Sequence, residues 1–165
     1  MAKIVVPTPN TTITSAWGKS VADAINNAAE LAYVQITAPK SVTSNVEATA
    51  DLIVAAPAVV YDGVNPVLIE FFCPGVSPPT TLGATLSLWI FQDGTSIGRA
   101  AVTTPAASAL YAPVHMVRRL TPTAASHTYA IHGTSSTGTA GTVNAGPGGT
   151  GAQWIPSFIR IVGAT

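Results

Sequence analysis

Ala84-Thr85-Leu86-Ser87-Leu88-Trp89-Ile90-Phe91-Gln92-Asp93-Gly94-Thr95-Ser96-Ile97-Gly98-Arg99 is the stretch that decides how this chain folds. Successive side chains of an extended backbone point to opposite faces, so Leu86, Leu88 and Ile90 share one side. Thr85, Ser87, Trp89 and Phe91 share the other. Asp93-Gly94 reads as a tight hairpin turn, because glycine accepts the positive φ that such a turn needs. The stretch therefore predicts a strand over 84–92, a return strand over 96–103, and a core on the leucine side. Two large aromatics on the second face predict a subunit contact there; the alternative is that they lie inside the sandwich.

The same grammar extends in both directions. Short runs of β-branched and aromatic residues, separated by Pro, Gly, Asn and Asp, predict further strands near 34–38, 46–55, 67–72, 111–120, 127–132 and 154–162. Asp62-Gly63 followed by Asn65-Pro66 marks another turn. In the last strand Ile155, Ser157, Ile159 and Ile161 alternate with Trp154, Pro156, Phe158 and Arg160. Between the last two strands, residues 133–151 are rich in Gly, Ser and Thr and read as a long loop or tip. This is the pattern of an all-β sandwich or barrel. Ahead of it, residues 1–13 read as an extended Pro/Thr-rich arm. A helix is predicted over about 15–33, capped by Thr14 or Ser15, with Trp17, Val21, Ile25, Ala28 and Leu31/Ala32 at helical spacing. The division is then an arm and helix over 1–35 and a β domain over 36–165.

Charge narrows the function. Only 8% of the 165 residues are charged, against about 25% in an ordinary soluble domain. A surface made largely of Thr, Ser, Ala and Gly suits a chain that buries much of it against sister subunits. Seven basic and seven acidic residues are scattered along the chain, doubled only at Arg118-Arg119, so the basic stripe that nucleic-acid binding requires is missing. The most apolar run, Val67–Phe72, contains Glu70 and is far too short to span a bilayer. No secretion signal is legible at the N-terminus, and a single cysteine excludes an intrachain disulfide, so synthesis in a cytoplasm is expected.

Motifs for chemistry are weak. Gly146-Pro147-Gly148-Gly149-Thr150-Gly151 matches G-x-G-x-x-G, but a strand rather than a helix follows it and no acidic residue lies downstream, so it reads as a loop. His115, His127 and His132 have no Cys or carboxylate spaced to complete a ligand set, and His127 and His132 face opposite ways on one strand. Cys73 reads as a core filler, Glu47/Asp51 as strand-edge solvation, and Arg118-Arg119 as one solvated and one paired arginine. Neither a nucleophile elbow nor a pair of carboxylates placed for acid/base work is present. No catalytic residue, cofactor or metal is expected.

Two segments carry a resemblance. Pro7-Thr8-Pro9-Asn10-Thr11-Thr12-Ile13-Thr14-Ser15-Ala16-Trp17-Gly18-Lys19-Ser20-Val21-Ala22-Asp23-Ala24-Ile25-Asn26 resembles the opening of small virion proteins of actinobacterial tailed phages. Val60-Tyr61-Asp62-Gly63 with Val67–Phe72, His127-Thr128-Tyr129, the Gly-rich run and Ile155–Ile161 resemble phage jelly-roll modules of the C1q and tumour-necrosis-factor type. The resemblance implies an antiparallel jelly roll, a homotrimer with aromatic residues near a threefold axis, and a place in the virion. It supplies no catalytic residues. The expectation is a capsid decoration protein on the phage head that contacts the major capsid protein. The alternative is a tail or fibre component whose loops around 77–81 and 133–151 bind a host receptor. Trp89, Phe91, Trp154 and Phe158 are the candidate trimer contacts, with Trp17 docking the helix.

Overall fold

In the computed structural model the described residues are 18, 21, 29–103, 111–149, 151 and 153–164. They form an antiparallel jelly-roll sandwich. The strands in chain order are β1 (Glu30–Ile36), β2 (Lys40–Val42), β3 (Asp51–Ala55), β4 (Val59–Val60), β5 (Val67–Ser77), β6 (Leu86–Gln92), β7 (Thr95–Thr103), β8 (Ala112–Leu120), β9 (Ser126–His127), β10 (Tyr129–Ser135), β11 (Gly141–Asn144) and β12 (Ser157–Gly163).

Taking the longer strands β1, β3, β5, β6, β7, β8, β10 and β12 as first to eighth, one sheet runs first–eighth–third–sixth, as β1-β12-β5-β8. The other runs second–seventh–fourth–fifth, as β3-β10-β6-β7. That wiring is the double Greek key of a jelly roll. The first sheet, sheet A, is extended by β11 and β2, because the long β5 pairs with β12 over Val67–Phe72 and with β11 over Gly75–Ser77. The second is sheet B. β4 and β9 form a small separate pair.

Alternation places the core between the sheets. Val67, Ile69, Phe71 and Cys73 of β5, with Ile159 and Ile161 of β12, point inward against Leu86, Leu88 and Ile90 of β6 and Tyr129 and Ile131 of β10. Each such aliphatic side chain contributes about 1.5–3 kcal/mol by leaving water. The Asp93-Gly94 turn joins β6 to β7 with φ of 51° and 78°, the double positive φ of a type I′ hairpin. Asp62 closes the other expected turn by accepting the Val64 and Asn65 amides at 2.8 and 2.9 Å.

Three expectations need correction. The predicted helix over 15–33 is not supported. Most of it lies outside the described residues, and its last part, Glu30–Tyr33, is the start of β1. Pairing with β12 gives that backbone a ladder and buries Ala32, which overrides the helical spacing of Leu31 and Ala32. The strand expected over 46–55 shortens to β3, because Glu47–Thr49 forms a 3-10 turn. Asp51 fixes this corner by accepting the Thr43 and Ser44 amides at 2.6 and 2.8 Å. Finally, the Gly-rich segment is not all loop: β10 continues to Ser135, and β11 buries Val143 completely.

Candidate functional site

β5 places Leu68, Glu70 and Phe72 on the side of sheet A away from the core. Register carries this outward set across the sheet. Phe158, Arg160 and Val162 come from β12, His115, Val117 and Arg119 from β8, and Tyr33 and Gln35 from β1. The aromatic rings form a ladder over four strands. Tyr33 lies 5.5 Å from Phe158, Phe158 is stacked 5.7 Å from Phe72, and the His115 ring meets Phe72 edge-on at 6.4 Å. Tyr33 and Val117 are 45% and 53% exposed, so the ladder's margins lie open to solvent.

One charged group is set into this apolar face. The Glu70 side chain is only 15% exposed, and both of its oxygens are occupied. Oε1 accepts from His115 Nε2 at 2.9 Å, while Oε2 accepts from Arg160 Nε at 2.9 Å and from Arg160 Nη2. Burial alone would push this carboxyl up. The hydrogen bonds from Arg160 and His115, with the positive charge of Arg160, outweigh burial and hold it below its ordinary value. An ionised carboxylate only accepts, so His115 donates through Nε2. Glu70 and Arg160 cancel each other, and the middle of the face is electrically neutral.

The five aromatic residues singled out from sequence do not form one patch. Phe158 belongs to the ladder on sheet A. Trp89 and Phe91 lie on the outer side of sheet B, where the chain satisfies them itself. Trp89 donates Nε1–H to Thr134 Oγ1 at 2.9 Å and carries the Arg99 guanidinium 4.6 Å above its ring. Phe91 is 4% exposed, stacks on His132 at 4.1 Å and floors a shallow cavity of about 390 Å³. Glu47, Ala48 and the Gly94–Ser96 turn line the rest of that cavity. Trp154 folds its ring over Gly75 and lies 5.3 Å from Tyr111. Trp17 is outside the described residues. Tyr33, Leu68, Phe72, Val117 and Val162 were missed, although Leu68-Ile69-Glu70-Phe71-Phe72 already alternates an inward and an outward set.

The titratable groups elsewhere each have local work. His115, His127 and His132 stand apart, with Glu70, Asp93 and the Ala50 carbonyl as their partners. His127 is 8% exposed and bridges Asp93 Oδ2 at 2.6 Å and Thr123 Oγ1 at 2.8 Å. The chain Asp93–His127–Thr123 ties the β6–β7 hairpin to the loop before β9. Cys73 is fully buried, and burial pushes its thiol up, which makes it unreactive in the folded state. Arg118 reaches inward to the Ile97 carbonyl of β7 at 2.5 Å, whereas Arg119 points out. Among the described residues no helix is long and apolar enough to cross a membrane.

No protein-family model matches the chain, and no characterised protein matches its sequence.

Proposed function

We propose that this chain is a structural protein of a bacteriophage particle, a homotrimer that decorates the head and stabilises its shell. The observation that carries the reading is the outer face of sheet A. It is an aromatic and aliphatic surface, half-buried at its centre and open to solvent at Tyr33 and Val117, whose embedded Glu70–Arg160 pair is internally neutral, so copies of it meet without like-charge repulsion. Three jelly rolls that turn this face toward a common axis bury it and leave the Thr- and Ser-rich surface to solvent. The low overall charge and the resemblance carried by residues 7–26 support the same reading. The major capsid protein is the partner in the particle, and the N-terminal segment is assigned to that attachment. Three attachments per trimer, each weak, give a joint attachment stronger by orders of magnitude. The protein performs no reaction in this reading.

The test is to measure the mass of the purified full chain by sedimentation equilibrium, then to co-pellet it with undecorated heads and with isolated tails. A trimer that pellets with heads is the expected result. Retention by tails in place of heads overturns the head assignment. A stable monomer with affinity for neither overturns the whole reading.

A further inference from the structure

The outward residues of sheet A line up in three cross-strand rows. Glu30, Val162, Leu68 and Arg119 form the first; Tyr33, Arg160, Glu70 and Val117 the second; Gln35, Phe158, Phe72 and His115 the third. Each row begins on β1 at one margin of the sheet and ends on β8 at the other. The two ends of every row are chemically complementary. The first pairs a carboxylate with a guanidinium, the second an aromatic ring with an aliphatic side chain, and the third an amide with an imidazole. All six end residues are exposed. Glu30 stands opposite Val162 across a bulge in β1, and its charge adds to that of Glu70 in holding the Arg160 guanidinium charged.

We infer that the β1 margin of one copy docks against the β8 margin of the next, row for row, with Glu30 paired to Arg119, Tyr33 packed on Val117, and Gln35 hydrogen-bonded to His115. Rotation about an axis running along the strands keeps each residue at its own height, so row ends at the same level meet. Two different margins are joined, and the contact is therefore head-to-tail, the kind that forms a ring when three successive rotations close on themselves. A two-fold about such an axis, setting a margin against its own copy at the same height, would put Arg119 beside Arg119 or Glu30 beside Glu30. The inference rests on the self-associating reading above and specifies which residues make the contact.

The experiment measures assembly of the full chain against concentration for the natural sequence, Glu30→Arg, Arg119→Glu and the double exchange. Each single reversal is expected to raise the concentration at half-assembly by about tenfold or more, and the double exchange to recover most of the loss. Raising salt from about 0.05 M to about 0.5 M should weaken assembly of the natural chain and strengthen that of each single variant, because it screens the like charges that a single reversal sets face to face. A second variant reads the contact directly. Tyr33→Cys with Val117→Cys places thiols at margins roughly 14 Å apart within one chain, from three inter-strand spacings, so oxidation links only neighbouring copies. Covalent dimers and trimers on a denaturing gel are expected. Normal assembly of both single reversals, or loss without recovery in the double exchange, overturns the row pairing while the trimer stands. A natural chain that is monomeric throughout overturns the trimer as well.

Discussion

Tyr61 and Tyr129 carry buried hydroxyl groups that find no hydrogen-bond partner among the described residues. Burial, before any nearby charge, pushes both phenols up to about 12. Their rings are well placed, edge-on at 6.0 Å, so the oxygen rather than the ring is the unfavourable part. Tyr129→Phe removes it and keeps the ring, and should stabilise the fold by about 1 kcal/mol, read as a raised urea midpoint. Acid acts on other residues. Asp51, Asp62 and Asp93 are held below their ordinary value of 3.8, chiefly by backbone amides of Ser44, Asn65 and Thr128 respectively. Glu70 is lowered as well, because Arg160 and His115 outweigh its burial. A depressed carboxyl contributes stability that is complete above its unfolded value and disappears as pH falls through the folded one. Urea midpoints should therefore hold from pH 7 to about pH 5 and drop below about pH 4. An unchanged midpoint at pH 3 would count against these four contacts.

Among the elements, the segment from Gly146 to Pro156 shows how a sequence motif can be right in letters and different in purpose. A Cβ on Gly146 would collide with the Trp154 carbonyl oxygen, which is backbone and has little room to retreat. Gly148, Gly149 and Gly151 take φ of 72°, 120° and 85°. These glycines serve close approach and left-handed backbone in the connection between β11 and β12. Gly146→Ala should destabilise the protein by about 1–3 kcal/mol, seen as a lower melting temperature, without changing the sheet content measured by circular dichroism. The long strands were legible because alternation and turn residues are local signals: Leu86, Leu88 and Ile90 point inward as their spacing requires, and Asp93-Gly94 turns where it should. The short strands β2, β4 and β11 have too few residues to show a period, and their pairing is decided by partners far along the chain. Glu30–Tyr33 was misread for the related reason that a helical spacing of apolar residues says nothing about a waiting strand such as β12. Trp89 and Phe91 were correctly placed outside the leucine face. Their covers, Thr134, Arg99, His132 and the Glu47–Thr49 turn, come from distant segments, so local sequence gave no sign that the chain satisfies them itself.

For the molecule as a whole, the two sides of the sandwich differ in what they leave undone. Sheet B covers its aromatics, whereas sheet A presents Tyr33, Phe72 and Phe158 as a ladder. Phe158→Lys places a charge on that ladder without touching the inward set of β12, and should abolish association while the melting temperature of the isolated chain moves by only a few degrees. Equal loss of fold and association would mean that Phe158 belongs to the core after all. Cys73, sealed between the sheets beneath the Gly75 and Asn144 carbonyls, adds a measurement that needs no mutation. As the sole sulfhydryl of the chain, it meets a water-soluble disulfide reagent only when the two sheets part. Its labelling rate is therefore a clock for rare openings of the sandwich, and comparing that clock in dilute and concentrated samples reports how far neighbours hold each subunit shut.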